Sequence, residues 1–402
     1  MSIPVLKLKR GEDRRLRAGH LWIFSNEIDT AATPLTQFEP GAAVQVHSDR
    51  DQFLGFAYVN PRTLIAARIV GRDAGAPPDS SLIVHRLRVA LSLRERLYRE
   101  PFYRLVFGES DGLPGLVLDR FGDLLVAQSG TAGIDRLRAG IEAAVAKVVP
   151  GTTLVWKNDS GAREIEGLER SVTVAGDGAT TAEVPAEISV REQGVDFVAP
   201  LADGQKTGWF YDQAANRERL RRYLPAGARV LDVCSYVGGW AVTALKGGAA
   251  SATCVDSSAT ALEYVARNAK ANGVEVTTVK DDAFDALKAL QESGQRFDVV
   301  ILDPPAFAKR KKDVPQAQGA YRRLNQLAMP LIERDGILVS CSCSYHMGID
   351  DFLAAIQGAA RHSSRFVQVL EQGGQSPDHP VHPAIPETRY LKSFFCRVVR
   401  EG

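Results

Sequence analysis

The chain has 402 residues, 45% of them hydrophobic and 24% charged, and a net charge of +1. That length predicts two or three domains of a soluble globular protein. No run of about 18 apolar residues occurs, which excludes a membrane-spanning helix, and the near-zero charge gives no global signature of a polyanionic partner. In chain order, residues 1–72 alternate short apolar runs with turn signals, as in "LWIFSNEI", "AAVQVHS" and "FLGFAYV". This is the spacing of a small β-barrel or sandwich domain. "GRDAGAPPDS" at 71–80 has the composition of a linker. "LIVHRLRVALSLRERLY" has helical periodicity. "RLVFGESDGLPGLVLDRFGDLLVAQ" reads as two strands around a Gly/Pro turn, and a helix is expected near 133–148. "TLVWKN" and the stretch "AEISVREQGVDFVAP" supply further strands, so residues 80–190 are assigned to a middle, β-rich α+β domain.

Beyond residue 205 the pattern changes to strands alternating with helices. "ARVLDVCSY", "SATCVDSS", "VTTVKDDAF", "FDVVILDPP" and "GILVSCSCS" are the strands. The helices begin at "GGWAVTALKGG", run through "ALEYVARNAKANG", and lie near 283–293, 316–333 and 349–360. "YLKSFFCRVVR" adds a final strand. This alternation specifies an α/β fold with a doubly wound, mostly parallel sheet, so residues 191–402 are expected to form a Rossmann-like domain. Ligands bind such sheets outside the carboxyl ends of the strands, where the polar residues of these segments fall.

The opening stretch "MSIPVLKLKRGEDRRLRAGH" is basic but has no apolar core, so it is not read as a secretory signal. The cysteines, at 234, 254, 341, 343 and 396, are odd in number and lie mostly in apolar strands without a C-x-x-C pair. This favours the reducing cytoplasm over a disulfide framework and gives no basis for a metal site. Basic residues cluster three times: Lys7, Lys9, Arg10, Arg14, Arg15 and Arg17; Arg86, Arg88, Arg94, Arg96, Arg99 and Arg104; and Lys309 to Lys312. Any one cluster is ordinarily a solvated face. Three together raise the expectation of a nucleic-acid partner.

The first strand-to-helix turn reads "LDVCSYVGGWA". A dinucleotide fingerprint wants G-x-G-x-x-G here; instead Gly238 and Gly239 come late, and Asp232 adds a carboxylate that repels a pyrophosphate. An acidic strand end suits a cationic ligand, such as an amino-acid ammonium. Asp256 ends the second strand, placed to accept both ribose hydroxyls of a nucleoside. Asp281 and Asp282 end the third, one of them suited to an adenine amino group. Any single Asp at such a position is a common helix cap. Three acidic strand ends with a glycine turn point to S-adenosylmethionine. Asp303-Pro304-Pro305 then makes a stiff exit from the fourth strand, a ledge for a planar base beside the methyl donor.

At these motifs the chain resembles a known family, the RNA 5-methylcytosine methyltransferases of the large-subunit ribosomal RNA type, in which a PUA domain precedes a class I methyltransferase. "RGEDRRLRAGHLWIFSNEI", "VFGESDGLPGLVLDRFG", "GQKTGWFYDQAANR", "VLDVCSYVGGWAV", "VDSS", "LDPPAFAK", "SCSYHM" and "HPVHPAIPETRYLKSFFCRVV" carry the resemblance over nearly the whole length. It implies cofactor contacts from Tyr211, Gln213, Asp232, Ser235, Tyr236, Gly238, Asp256, Asp282, Asp303 and Pro304. It implies phosphate contacts from Arg10, Arg14, Arg17, Lys309 and Lys311, 23S ribosomal RNA as partner, no membrane, and a homodimer as a further expectation. Where the family commonly has Arg after Asp-Gln this chain has Ala214, while Arg217 is retained.

Carbon 5 of cytosine is a poor nucleophile until a thiolate adds to carbon 6, so this chemistry needs an activated cysteine. Cys341 and Cys343 share a face of an extended strand, but "GILVSC" is still apolar strand and "SCSYHM" is already polar loop. A reactive thiol belongs at the exposed mouth, and the resemblance places its nucleophile at the same residue, Cys343. Cys234, Cys254 and Cys396 read as packing. Asp303 is a second catalytic candidate by position; His346, His379 and His382 lie near the same sheet end, where a structural histidine is the commoner outcome. Phe307 and Tyr345 are candidates to flank a flipped base, each more often ordinary packing. Methylation of guanine or another RNA by the same fold would leave Cys343 dispensable. A non-catalytic RNA-binding relative and a dehydrogenase fit the carboxylate and glycine pattern less well.

Overall fold

The computed structural model describes residues 3–176, 183–202, 204 and 206–400. The chain divides into two compact units. The first comprises Met1–Ile188, Pro200–Trp209 and Asp378–Thr388; the second comprises Ser189–Ala199, Phe210–Pro377 and Arg389–Gly402.

In the first unit, β1 (Val5–Lys7), β2 (Trp22–Phe24), β3 (Ala42–His47), β4 (Phe53–Val59) and β5 (Ile65–Gly71) form a sheet in the order β1-β3-β4-β5-β2, with the single-turn α1 (Arg14–Arg17) beside it. Alternation builds its core: Val44 and Val46 point inward around the more exposed Gln45, and meet Leu6, Ile23 and Ile69. A second sheet has the order β10-β9-β8-β7-β6, from β6 (Phe102–Phe107), β7 (Leu116–Phe121), β8 (Leu124–Ser129), β9 (Thr153–Asn158) and β10 (Ser171–Val174). The helices α2 (Ser80–Leu97), α3 (Ala132–Arg136), α4 (Arg138–Val148) and α5 (Ala162–Glu166) accompany it. Ile83, Leu87 and Ala90 of α2 and Ile141, Ala144 and Val145 of α4 recur at helical spacing and share one apolar core with the sheet. Asp79 caps α2 by accepting from the Ser81 and Leu82 amides at 2.9 and 3.2 Å. The sequence expectation of two strands between 104 and 128 is corrected to three. Phe121 to Leu124 is a second tight turn, with Gly122 at φ 66°, and its short length hides it inside one apolar run.

In the second unit, β11 (Glu187–Glu192) and β12 (Val195–Pro200) form a two-stranded ribbon, whose Glu187, Ile188 and Pro200 fall in the first unit, and α6 (Ala214–Tyr223) follows. Then β13 (Arg229–Val233), α7 (Gly239–Lys246), β14 (Ser251–Asp256), α8 (Ala259–Ala271), β15 (Thr277–Lys280), α9 (Ala283–Glu292), β16 (Phe297–Leu302), α10 (Val314–Ala328), β17 (Ile332–Ser342), α11 (Ile349–His362), β18 (Arg365–Gly373) and β19 (Lys392–Arg400) build a seven-stranded sheet. Its order is β15-β14-β13-β16-β17-β19-β18. The first five strands pair in parallel, and β19 pairs antiparallel with both β17 and β18. The order reverses at β13, so the crevice beyond its carboxyl end is the switch point where ligands bind. Two expectations change here. The helix placed at 316–333 ends at Ala328, because Pro330 has no amide to continue the ladder. The edge strand β18 was not expected: most of its side chains are exposed or half-exposed, so it shows no alternating pattern.

Candidate active site

The switch point is built from three strand ends and one turn. Asp232 is fully buried near the end of β13. Its Oδ2 accepts from the Ala241 amide in the first turn of α7 at 3.1 Å, while Oδ1 has no partner among the described residues. Burial pushes this carboxyl up to about 8. The turn that follows is held in left-handed backbone at Cys234, Tyr236 and Gly238, with φ of 64°, 51° and 85°. Two of these are not glycine, and backbone of that kind persists where the surroundings hold it. The Cys234 and Ser235 amides both donate to the Val255 carbonyl at 2.9 and 3.0 Å. The Tyr236 amide donates to Asp256 Oδ2 at 2.9 Å, and Asp256 Oδ1 accepts from the Ser258 amide at 2.9 Å. Asp256 is thus fixed in place, with lone pairs left for hydroxyls. Asp282, on the exposed end of the third strand, caps α9 by accepting from the Phe284 amide at 2.9 Å.

Asp303, directly after β16, is the hub of the site. Gln213 Nε2 donates to its Oδ1 and Trp240 Nε1 to its Oδ2, both at 2.9 Å. Burial raises its carboxyl to about 6, against the pull of these two donors. Gln213 is itself oriented, its Oε1 accepting from Asn216 at 2.7 Å. One residue earlier, Asp212 Oδ2 accepts from the Tyr390 hydroxyl at 2.5 Å. Tyr211 is buried beside them in sequence. Arg217 is buried in a two-pronged pair with Glu192, at 2.6 and 2.7 Å, and its Nη2 also donates to the Phe210 carbonyl at 2.9 Å.

Cys343 lies just past β17, half-buried, with Sγ 4.0 Å from the carbonyl oxygen of Pro304. The two loops are tied together: the Ala308 amide donates to Ser344 Oγ at 3.2 Å, and Tyr321 Oη lies 2.9 and 3.1 Å from the hydroxyls of Ser342 and Ser344. Cys341 is different. It is fully buried on β17, bonds Ser393 Oγ at 3.3 Å, and burial raises its thiol well above the ordinary range. Cys234, Cys254 and Cys396 are also raised by burial. Phe307 packs on Tyr321 with ring centroids 4.7 Å apart, whereas Tyr345 is exposed against His346. His379 and His382 belong to the first unit, where His379 Nδ1 lies 2.8 Å from Asp378 Oδ1.

Each cationic cluster is divided by the fold, and Arg88, Arg96 and Arg99 of the second stay exposed. Arg94 and Arg104 are buried in pairs with Asp111 and Asp119 at 2.7 to 2.8 Å, and Arg86 bonds the Gly112 carbonyl. This corrects their reading as members of a polyanion-binding patch. In the first cluster Lys7 pairs with Asp51, Arg15 with Glu27 and Arg17 with Asp13. Arg10 and Arg14 are exposed and make no ion pair among the described residues. Lys309 and Lys311 are exposed in the loop after the Asp303 turn, where Arg310 pairs with Asp313. Trp240, Asn216, Tyr321 and Lys392 were not foreseen. Of these, only Lys392 had a legible signal, a charge inside an apolar strand.

The doubly wound sheet, its carboxylates at the switch point and a turn without the dinucleotide glycines define a domain for a nucleoside that carries a cationic group. S-adenosylmethionine fits this donor set: Asp232 Oδ1 is buried and lacks a partner among the described residues, as an acceptor for an ammonium group should. A family model for S-adenosylmethionine-dependent methyltransferases matches residues 176–392, and a model for a PUA-like domain matches residues 6–72. The chain belongs to the S-adenosylmethionine-dependent methyltransferases, with a PUA-like domain at its N-terminal end. It is 36% identical over 401 residues to ribosomal RNA large subunit methyltransferase I of Erwinia tasmaniensis, covering 98% of this chain and 99% of the relative. The protein of the same name from Salmonella arizonae is 36% identical over 405 residues, covering 99% and 98%. In fold it is similar to a structure assigned as an S-adenosylmethionine-dependent methyltransferase from Streptococcus mutans, with a TM-score of 0.81, 21% identity, and coverage of 98% and 100%. Among the described residues no helix is long and apolar enough to cross a membrane.

Proposed function

We propose that this protein methylates carbon 5 of a cytosine in 23S ribosomal RNA, with Cys343 as nucleophile. The relatives' names support the substrate class. The observation that carries the base and mechanism is the half-buried thiol of Cys343 beside the Asp303-Pro304-Pro305 turn. Asp232, Gly238 and Asp256, with Tyr211, Ser235, Tyr236, Asp282 and Pro304 around them, are the residues that would hold S-adenosylmethionine. When bound, it supplies an electrophilic methyl group. The Cys343 thiolate adds to carbon 6 of the base, forming a carbon–sulfur bond and making carbon 5 nucleophilic. Once carbon 5 is methylated, its proton leaves, the carbon–sulfur bond breaks, and the thiolate is regenerated. Asp303, ionised above about pH 6 and aimed by two donors, accepts that proton or holds the base amino group.

In this reading residues 1–72 bind RNA, 80–190 form a middle domain and 191–402 carry the chemistry in the cytoplasm. Arg10, Arg14, Arg17, Lys309 and Lys311 supply phosphate contacts, and sedimentation of the purified chain tests the expected homodimer. Digestion and mass spectrometry of ribosomal RNA from cells lacking the gene should lose one 5-methylcytidine. An unchanged cytidine profile sinks the proposal and leaves guanine methylation by the same fold. Cys343→Ala should lower methyl transfer at least about a thousandfold while keeping cofactor binding, and Cys341→Ala should retain activity. RNA containing 5-fluorocytidine should form a covalent adduct with the wild type and none with Cys343→Ala.

A further inference from the structure

Lys392 is the first residue of β19 and sits in register opposite Ser342, the last residue of β17. Its side chain is buried, and its Nζ donates to the carbonyls of Ser344 at 2.5 Å and Tyr390 at 2.8 Å. Ser344 immediately follows Cys343. Among the described residues no carboxylate pairs with Lys392. A buried ammonium that meets only neutral carbonyls is an expensive way to fill a strand position, since an aliphatic side chain of similar volume would pack there at less cost. Lysine also has three donors, and two are engaged. An anion beside it would account for both the charge and the remaining N–H.

We propose that Lys392 is the counter-cation of the Cys343 thiolate, a positioning residue that keeps the nucleophile ionised and fixes the backbone next to it. This rests on the assignment of Cys343 as nucleophile. A neighbouring cation lowers a thiol's pKa. In the other direction, burial lowers Lys392 to about 8 and the charge at Cys343 pulls it back up. Titratable groups facing the thiol among the described residues include Tyr321 of α10, held up by burial; Cys341 of β17, likewise raised; and Asp303 after β16, next to Pro304, whose carbonyl lies 4.0 Å from Sγ. None of these carries a positive charge, and ionised Asp303 opposes formation of a thiolate.

The test is the pH dependence of Cys343 alkylation by iodoacetamide, followed peptide by peptide with mass spectrometry on the full chain without cofactor. Lys392→Gln keeps an amide that can donate to the carbonyls but has no charge. It should slow Cys343 alkylation at pH 7 by about tenfold and move the midpoint up by about one unit. Lys392→Arg, always charged, should restore most of the wild-type rate. A Lys392→Gln profile that superimposes on the wild type overturns the pairing. Should that variant fail to fold, the wild type alone decides: a Cys343 midpoint below the ordinary value of about 8.5 supports the pairing, and one above it overturns it. Retained methyl transfer in Cys343→Ala instead removes the nucleophile assignment and leaves the alkylation result standing, so the two failures are distinguishable.

Discussion

Asp232 concentrates the conflict between stability and function in one side chain. Its carboxyl is buried, half-satisfied, and raised to about 8. A cationic ligand group favours the ionised form, so if Asp232 holds the cofactor as proposed, binding below that pH expels a proton. Affinity for S-adenosylmethionine should therefore rise from pH 6 to 8 and then level. Calorimetry at pH 7 in two buffers of different ionisation heat measures the released proton directly, and equal heats in both would sink the assignment. Asp232→Asn should flatten the pH dependence and weaken binding by about tenfold or more. The same shift acts on the free protein. A carboxyl whose folded pKa lies above its unfolded value stabilises the fold below the unfolded pKa, and that contribution is lost as pH rises through the folded one. Asp232→Asn should thus raise the melting temperature of the cofactor-free protein at pH 8, by about 2 °C for each 1 kcal/mol gained, while binding is weakened.

Asp303 shows the same physics distributed over elements. Trp240 belongs to the first turn of α7 and Gln213 to the turn before α6, and each donates to one oxygen of a carboxylate at the end of β16. Both bonds favour the ionised form, so removing either raises a carboxyl already near 6. Trp240→Phe should shift the ascending limb of the pH–rate profile to higher pH and lower the rate at pH 7 by about three- to tenfold; a profile with an unmoved limb would show that Asp303 does not titrate in the rate-determining step. The carboxylate was legible in the sequence because it ends the apolar run of residues 299–302 before two prolines. Gln213 was legible only as a cofactor contact that the resemblance implies; that it and Trp240 donate to Asp303 was not, because they lie 90 and 63 residues away and meet it only in the folded sheet. The parallel strands were legible for the same reason as Asp303: strands buried on both faces read as continuous apolar runs. β18 lies at an edge, exposed along much of its length, and its sequence carries no such run.

At the scale of the whole molecule, charge is read least safely from sequence. The run from Arg86 to Arg104 and the run from Lys7 to Arg17 look alike as lists of cations, yet within each run the fold gives single residues different work: Arg88, Arg96 and Arg99 are exposed, and Lys7, Arg15 and Arg17 are ion-paired. Arg94 and Arg104 are buried with carboxylates, while Arg10 and Arg14 face solvent without an ion pair among the described residues. Sequence spacing does not reveal this, because Asp111 and Asp119 come from a turn and a strand beyond the helix. The difference predicts opposite phenotypes. Arg94→Ala leaves Asp111 buried without its partner and should cost about 3–5 kcal/mol of stability, with no change in the salt dependence of RNA binding by the molecules that remain folded. Arg10→Ala combined with Arg14→Ala should leave the melting temperature within about 1 °C, since exposed charges contribute little. If both contact phosphates, that double substitution should reduce the slope of log affinity against log salt by about 1.4 on a single-stranded ribosomal RNA fragment. An unchanged slope would place the phosphate contacts elsewhere, with Lys309 and Lys311 next in line because they too are exposed and follow the Asp303 turn.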